Sequence, residues 1–194
     1  MKAGTAKKRM YIHVHAIVKN MQMKEQVLQL LPGFHALTGS YLTSYIAGHT
    51  KKTCWGVFER NRHLLKGLCE GPEVSDSTLQ DAEVFFCKLY GAMTADDINA
   101  VRLSMLVKGM TIKRLPPTRD ALYFHIQRSH YQTLVWQEDH LQRPVLPPPE
   151  TMGWKLEDNV LVPKLLSLPA VPDACEDHLW LHHWMQDSPM WLQA

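Results

Sequence analysis

Leu37-Thr38-Gly39-Ser40-Tyr41-Leu42-Thr43-Ser44-Tyr45-Ile46-Ala47-Gly48-His49-Thr50-Lys51-Lys52 carries an apolar segment into a Gly-Ser pair, then through a small apolar run to a second glycine and two lysines. Phe34 to Gly39 is apolar and stops at a glycine, the residue that best accepts the left-handed conformation in which a helix's last carbonyls are capped. It reads as a short helix or a tight turn. After Gly48-His49, the stretch Thr50 to Glu59 reads as a helix beginning with Lys51-Lys52. Two helical segments flanking a glycine turn are therefore expected, with cations at the start of the second, where free backbone N–H groups also favour anions.

Upstream, Lys7-Lys8-Arg9 precedes Met10 to Val18, whose β-branched and aromatic residues alternate with His13 and His15, so a short N-terminal strand is expected there. Met23 to Leu31 places Val27, Leu28, Leu30 and Leu31 at helical spacing, and Pro32-Gly33 is expected to interrupt it. Downstream, Ser75-Asp76-Ser77-Thr78 caps an amphipathic helix through Leu79, Ala82, Phe85, Phe86 and Leu89 that closes at Gly91. Thr94-Ala95-Asp96-Asp97 caps a second, from Ile98 to Gly109. Pro116-Pro117-Thr118 opens a third, from Arg119 to about Gln137, whose wide apolar stripe (Leu122, Phe124, Ile126, Tyr131, Leu134, Val135, Trp136) belongs in a core. Pro144 to Pro149 reads as a linker or extended arm, Gly153 to Leu166 as an irregular strand pair, and the remainder as a loosely specified tail.

The chain has 194 residues, 45% of them hydrophobic and 21% charged, which suits one globular domain with appendages and excludes collagen-like, coiled-coil and wholly disordered classes. No uncharged apolar run approaches the roughly 18 residues of a membrane span, and Met1 to Met10 is basic without an apolar stretch, so no membrane partner and an intracellular location, nuclear or cytoplasmic, are expected. Cys54, Cys69, Cys87 and Cys175 lie far apart with no Cys-x-x-Cys pair, which reads as free thiols. The net charge of +2 is unevenly spread: residues 1–66 hold eleven Lys/Arg against Glu25 and Glu59, whereas residues 137–194 hold three against nine acids. A basic front third suits a phosphate backbone, and it also suits a plain solvated surface.

The run His35-Ala36-Leu37-Thr38-Gly39-Ser40, followed by Gly48 and Lys52, resembles the end of the nuclease core in the flap-endonuclease and PIN-like family, and is closest to its uncharacterised, mobile-element-derived members that read His-Ala-Phe-Thr-Gly-Cys-Asp. In that family a helix ending in Gly-Ser-Asp or Gly-Cys-Asp supplies a metal-binding carboxylate, and a helix-two-turn-helix grips duplex backbone through a Gly-x-Gly-x-Lys turn. The resemblance covers roughly residues 10–70. It implies Gly48 at the first turn glycine, Thr50 where a second glycine often stands, and Lys52 at the turn lysine, with Lys51, Lys7, Lys8 and Arg9 extending a nucleic-acid-binding patch. Tyr41 occupies the position of the metal-binding aspartate. A phenol with an ordinary pKa near 10 is a poor ligand for a hard cation. The family uses Mg, and two-metal phosphodiester hydrolysis needs several carboxylates. The other acids would come from a part preceding Met1. The implication is an N-terminally truncated, catalytically inactive remnant without a cofactor, binding DNA or RNA backbone without sequence preference; residual metal-dependent cleavage with acids supplied by a partner is the alternative.

Two further readings come from the tail. Cys175-x-x-His178-x-x-x-His182 places zinc-compatible ligands on adjacent helical turns, although exposed tail histidines are the commoner meaning of such a pattern. Trp180, Trp184, Met185, Met190 and Trp191 form an apolar stretch that would dock on the chain's own core or on a protein partner. Gly-x-Ser-x-Gly, His-Glu-x-x-His and Walker-type loops do not occur. The expected architecture is mainly α, an α/β remnant, divided as 1–70 (nuclease-like, with the helix-two-turn-helix-like turn), 71–143 (helical) and 144–194 (Pro-rich linker and irregular C-terminal arm).

Overall fold

Short polar caps, placed where the sequence puts Ser, Thr and Asp, set most of the helix boundaries. A computed structural model of the chain describes residues 2–5, 8–11, 13–20 and 25–167. These residues are mainly α-helical, with two two-stranded antiparallel sheets at the ends.

Strand β1 (Lys2–Thr5) pairs with β2 (Lys8–Tyr11), and α1 (Val14–Asn20) follows. Of the strand expected from Met10 to Val18, only Met10 and Tyr11 are in β2, and Val14 to Val18 are helical instead. β1 ends at Thr5, opposite Lys8, and Tyr11 is the last residue with a ladder partner, Lys2. Beyond it the backbone closes its hydrogen bonds locally, beginning with Ile17 N–H to His13 C=O at 3.1 Å.

Helix α2 (Glu25–Leu37) runs through Pro32 and Gly33 without a break, in contrast to the interruption expected there. An interior proline costs a helix roughly 3 kcal/mol. Here Val27, Leu30, Phe34, Ala36 and Leu37 are all buried, and burying each large aliphatic or aromatic side chain returns about 1.5–3 kcal/mol. Gly33 itself lies against Cys69 and Leu68, with room for no side chain: a Cβ would stand 2.8 Å from the Cys69 sulfur.

Helix α3 (Lys51–Arg60) and the 3-10 helix Arg62–Cys69 lead to α4 (Asp76–Leu89), capped by Ser75, whose hydroxyl accepts from Thr78 N–H. Helix α5 (Ile98–Val107) is capped by Asp97, and α6 (Arg119–Glu138) by Thr118. The left-handed residues after α4 and α5 are Gly91 and Gly109, as the sequence predicts. One core cluster runs through α2, α3, the 3-10 helix, α4, α5 and α6, from Val27 to Ile126.

The strand pair expected between Gly153 and Leu166 is present and regular. Strands β3 (Trp154–Glu157) and β4 (Val160–Pro163) form a hairpin whose turn, Asp158-Asn159, has positive φ at both residues, the conformation that matches strand twist. Buried Arg128 of α6 ties it down, donating Nη1 to the carbonyls of Gly153 (3.0 Å) and Lys164 (2.5 Å). The chain is then held at Ser167, whose N–H and hydroxyl donate to the carboxylate of Asp120 at 2.6 and 2.9 Å.

Helix α6 also buries His125, Ser129, His130, Gln132 and Thr133. His125 donates from Nε2 to Leu37 C=O at 2.8 Å, which leaves its buried Nδ1 as a bare acceptor. Burial first, opposed by that hydrogen bond, pulls its pKa down to about 4; His130 is lowered in the same way. An unfolded chain takes up these protons near pH 6.5, before the folded one does, so stability is full above about pH 6.5 and falls toward pH 4. For His125 the loss is on the order of 3 kcal/mol. Urea midpoints at pH 7.5, 5.5 and 4.5 are expected to drop progressively, and to drop less in His125→Gln, whose amide keeps the bond to Leu37.

Candidate nucleic-acid interface

The end of α2 and the start of α3 are built around one another. A helix leaves its last four carbonyls without intrahelical partners. At α2 all four are occupied. Phe34 C=O accepts from Thr38 N–H (3.1 Å) and from its hydroxyl (2.7 Å). His35 C=O accepts from Lys51 Nζ (2.6 Å), Ala36 C=O from the Thr43 hydroxyl (2.6 Å), and Leu37 C=O from His125. Ser40 closes the turn, its N–H donating to Thr43 C=O at 3.2 Å and its hydroxyl 2.8 Å from that of Thr43. Gly39 has φ +102°, and a Cβ there would stand 2.7 Å from the Cα of Tyr45. The Gly-Ser pair thus serves as a helix stop.

Thr50, the residue standing where a second turn glycine is common, caps α3. Its hydroxyl accepts from Thr53 N–H while its own N–H donates to the Thr53 hydroxyl at 2.9 Å. This reciprocal cap leaves the N–H groups of Lys51 and Lys52 at the helix start. Gly48 precedes it with φ +78°, and a Cβ there would meet nothing within 4 Å, so the backbone at this turn is open.

The two lysines part company. Lys51 turns inward: besides His35 C=O it donates to the Thr38 hydroxyl at 2.8 Å, and its ammonium lies 5.7 Å from the centre of the Phe34 ring. Burial lowers its pKa to about 8, so it is protonated at neutral pH, where its charge also complements the negative end of α2. That placement gives Lys51 bonds to the end of α2 while the residue as a whole stays exposed. Lys52 is exposed. So are Tyr41, at 80%, and Tyr45, at 61%, while Thr43 between them and Ile46 after them point into the fold. Tyr45 is a residue the motif does not single out, and the local pattern does not mark it either, since Thr43, two positions before it, is buried.

Lys8 and Arg9 are in β2, paired with Thr5 and Gly4, and Lys7 lies outside the described residues. Cys175, His178 and His182 also lie outside them. His13 and His15, expected on one strand face, instead straddle the start of α1 and are exposed. No three His, Cys, Asp or Glu side chains come together among the described residues, and from Gln26 to Phe58 the chain has no Asp or Glu at all. Among the described residues no helix is long and apolar enough to cross a membrane. No protein-family model matches the chain, and no curated protein or solved structure is significantly similar to it.

Proposed function

We propose that the Tyr41–Lys52 loop binds nucleic-acid backbone without sequence preference and without cutting it. The observation that carries this reading is the open start of α3, where exposed Lys52 follows a turn at Gly48 with nothing over its backbone. A phosphate there would meet N–H groups, a cation and the positive end of a helix together. Exposed Tyr41 and Tyr45 on the same loop offer rings on which unpaired bases stack, which favours single strands over duplex. Cleavage is not part of the proposal, because Tyr41 stands where a carboxylate would be needed and the surrounding sequence supplies no acid in its place.

Lys52→Glu is the direct test, since Lys51 has a separate task in holding α2. In fluorescence anisotropy with single-stranded, duplex and branched DNA and with RNA across a salt series, the wild type is expected to bind with a steep salt dependence. Lys52→Glu should weaken every substrate by about tenfold and flatten the salt slope by about one ion. Tyr41→Ala/Tyr45→Ala should weaken single strands selectively. Absence of binding by folded protein at low salt would remove the reading, and cleavage in Mg²⁺ would overturn its non-catalytic half.

A further inference from the structure

Helix α5 has a second apolar face that the core does not use. Ile98 and Val101 point inward, whereas Leu103, Leu106 and Val107 are exposed on α5, and Met110 and Ile112, just past its end, continue the strip. Val107 is 78% exposed. Lys108, Lys113 and Arg114, all exposed, border it, and the sequence from Ile98 to Thr118 contains no Asp or Glu. Among the described residues none of the three cations has an acidic partner. An apolar strip flanked by unpaired cations is the complement of an acidic, aromatic segment.

We propose that this face is the seat of the chain's own C-terminal segment, residues 168–194. Three observations select that occupant. Its composition matches: Leu179, Trp180, Leu181, Trp184, Met185 and Trp191 are apolar, while Asp173, Glu176, Asp177 and Asp187 are its charged residues, with no Lys or Arg. Its starting point matches: Ser167 is fastened to Asp120 on the first turn of α6, and the neighbouring Arg119 N–H donates to the Asn99 side chain on the first turn of α5 at 2.9 Å. Its length matches as well. Helix α5, with 10 residues, is about 15 Å long, and the dozen residues between Ser167 and Trp180 span up to about 40 Å when extended. The acids at 173–177 then reach Lys108 and Lys113, and the tryptophans reach Leu103, Leu106 and Val107.

Zero-length carbodiimide cross-linking of the full chain, on an equal mixture of ¹⁴N- and ¹⁵N-labelled protein, tests this directly. Cross-links from Asp173, Glu176 or Asp177 to Lys108 or Lys113 are expected within single-label chains, in preference to Lys52 or Lys155. They should fall at least tenfold in Leu103→Glu/Val107→Glu, and equally in Trp180→Ser/Trp184→Ser, a variant that leaves the helical core untouched. Hydrogen exchange at Phe85 and Ile126 should be unchanged in both variants. Mixed-label cross-links would show that a second copy occupies the face and would overturn the proposal. Tail cross-links spread evenly over all lysines, or unaltered by either variant in a folded chain, would overturn it too.

Discussion

Replacing Glu83 by alanine is expected to cost about 3 kcal/mol of folding stability, because one buried carboxylate joins three helices. Its side chain is wholly buried on α4, and Oε1 accepts from Ile98 N–H, the first amide of α5, at 2.8 Å. Arg119 of α6 donates Nε to both oxygens at 2.9 and 3.0 Å, and the Tyr123 hydroxyl donates to Oε2 at 2.9 Å. Burial, and then Glu83, push the Tyr123 phenol up to about 12. Asp97 completes the arrangement by accepting from Asn99 N–H and Ala100 N–H, so the opening amides of α5 are all satisfied by carboxylates at the positive end of that helix. Alanine would orphan a backbone N–H and a hydroxyl and leave a cavity. Arg119 is 39% exposed and turns to water instead, which keeps the cost at the low end for a buried pair. Glu83→Gln, which retains an acceptor for Ile98, should cost clearly less. Thermal unfolding is expected to show a drop of about 6–12 °C for the alanine variant. A loss below about 1 kcal/mol would mean that α5 is held by Ile98 and Val101 packing alone.

This junction also marks how far the sequence can be read. The caps of α4, α5 and α6 were legible because Ser75, Asp97 and Thr118 act on amides two or three residues away, as do the glycines that end α4 and α5. The burial of Glu83 was legible only in part: it falls on the stripe of Leu79, Ala82 and Phe86, but its partners lie 15 to 40 positions on. Pro32 reads as a break because the local penalty is visible in the sequence and the burial that offsets it is not. The candidate interface divides in the same way. The turn, its two glycines and the helix starting at Lys51 follow from local pattern. The direction of the Lys51 side chain does not, since it is decided by the His35 carbonyl sixteen residues earlier and by a ring on another helix. Arg128 holding the β3–β4 hairpin is invisible for the same reason: the strand pair is legible from Gly153 to Leu166, but its anchor on α6 lies 25 to 36 positions away.

The two glycines of the loop should respond differently to the same change, because one is required by space and the other only by backbone angle. At Gly39 an added methyl meets the Tyr45 Cα at 2.7 Å and its N at 3.2 Å, backbone atoms that cannot swing aside. The positive φ adds its own strain. Together these make Gly39→Ala cost roughly 3 kcal/mol. At Gly48 the methyl enters open space, and only the conformational cost remains, about 1 kcal/mol. Relieving the clash at Gly39 means shifting Tyr45 and the Thr43 hydroxyl that holds Ala36 C=O, so that variant should also lose affinity for single-stranded nucleic acid at temperatures where it is still folded. Gly48→Ala, with α2 and its carbonyl partners intact, should retain the wild-type stacking contribution while hindering phosphate approach to the start of α3. Urea denaturation of both variants, paired with binding at low salt, separates the two effects. Equal stability losses would show that the close approach of Gly39 to Tyr45 does not hold the loop, and that the Gly-Ser pair acts through backbone conformation alone.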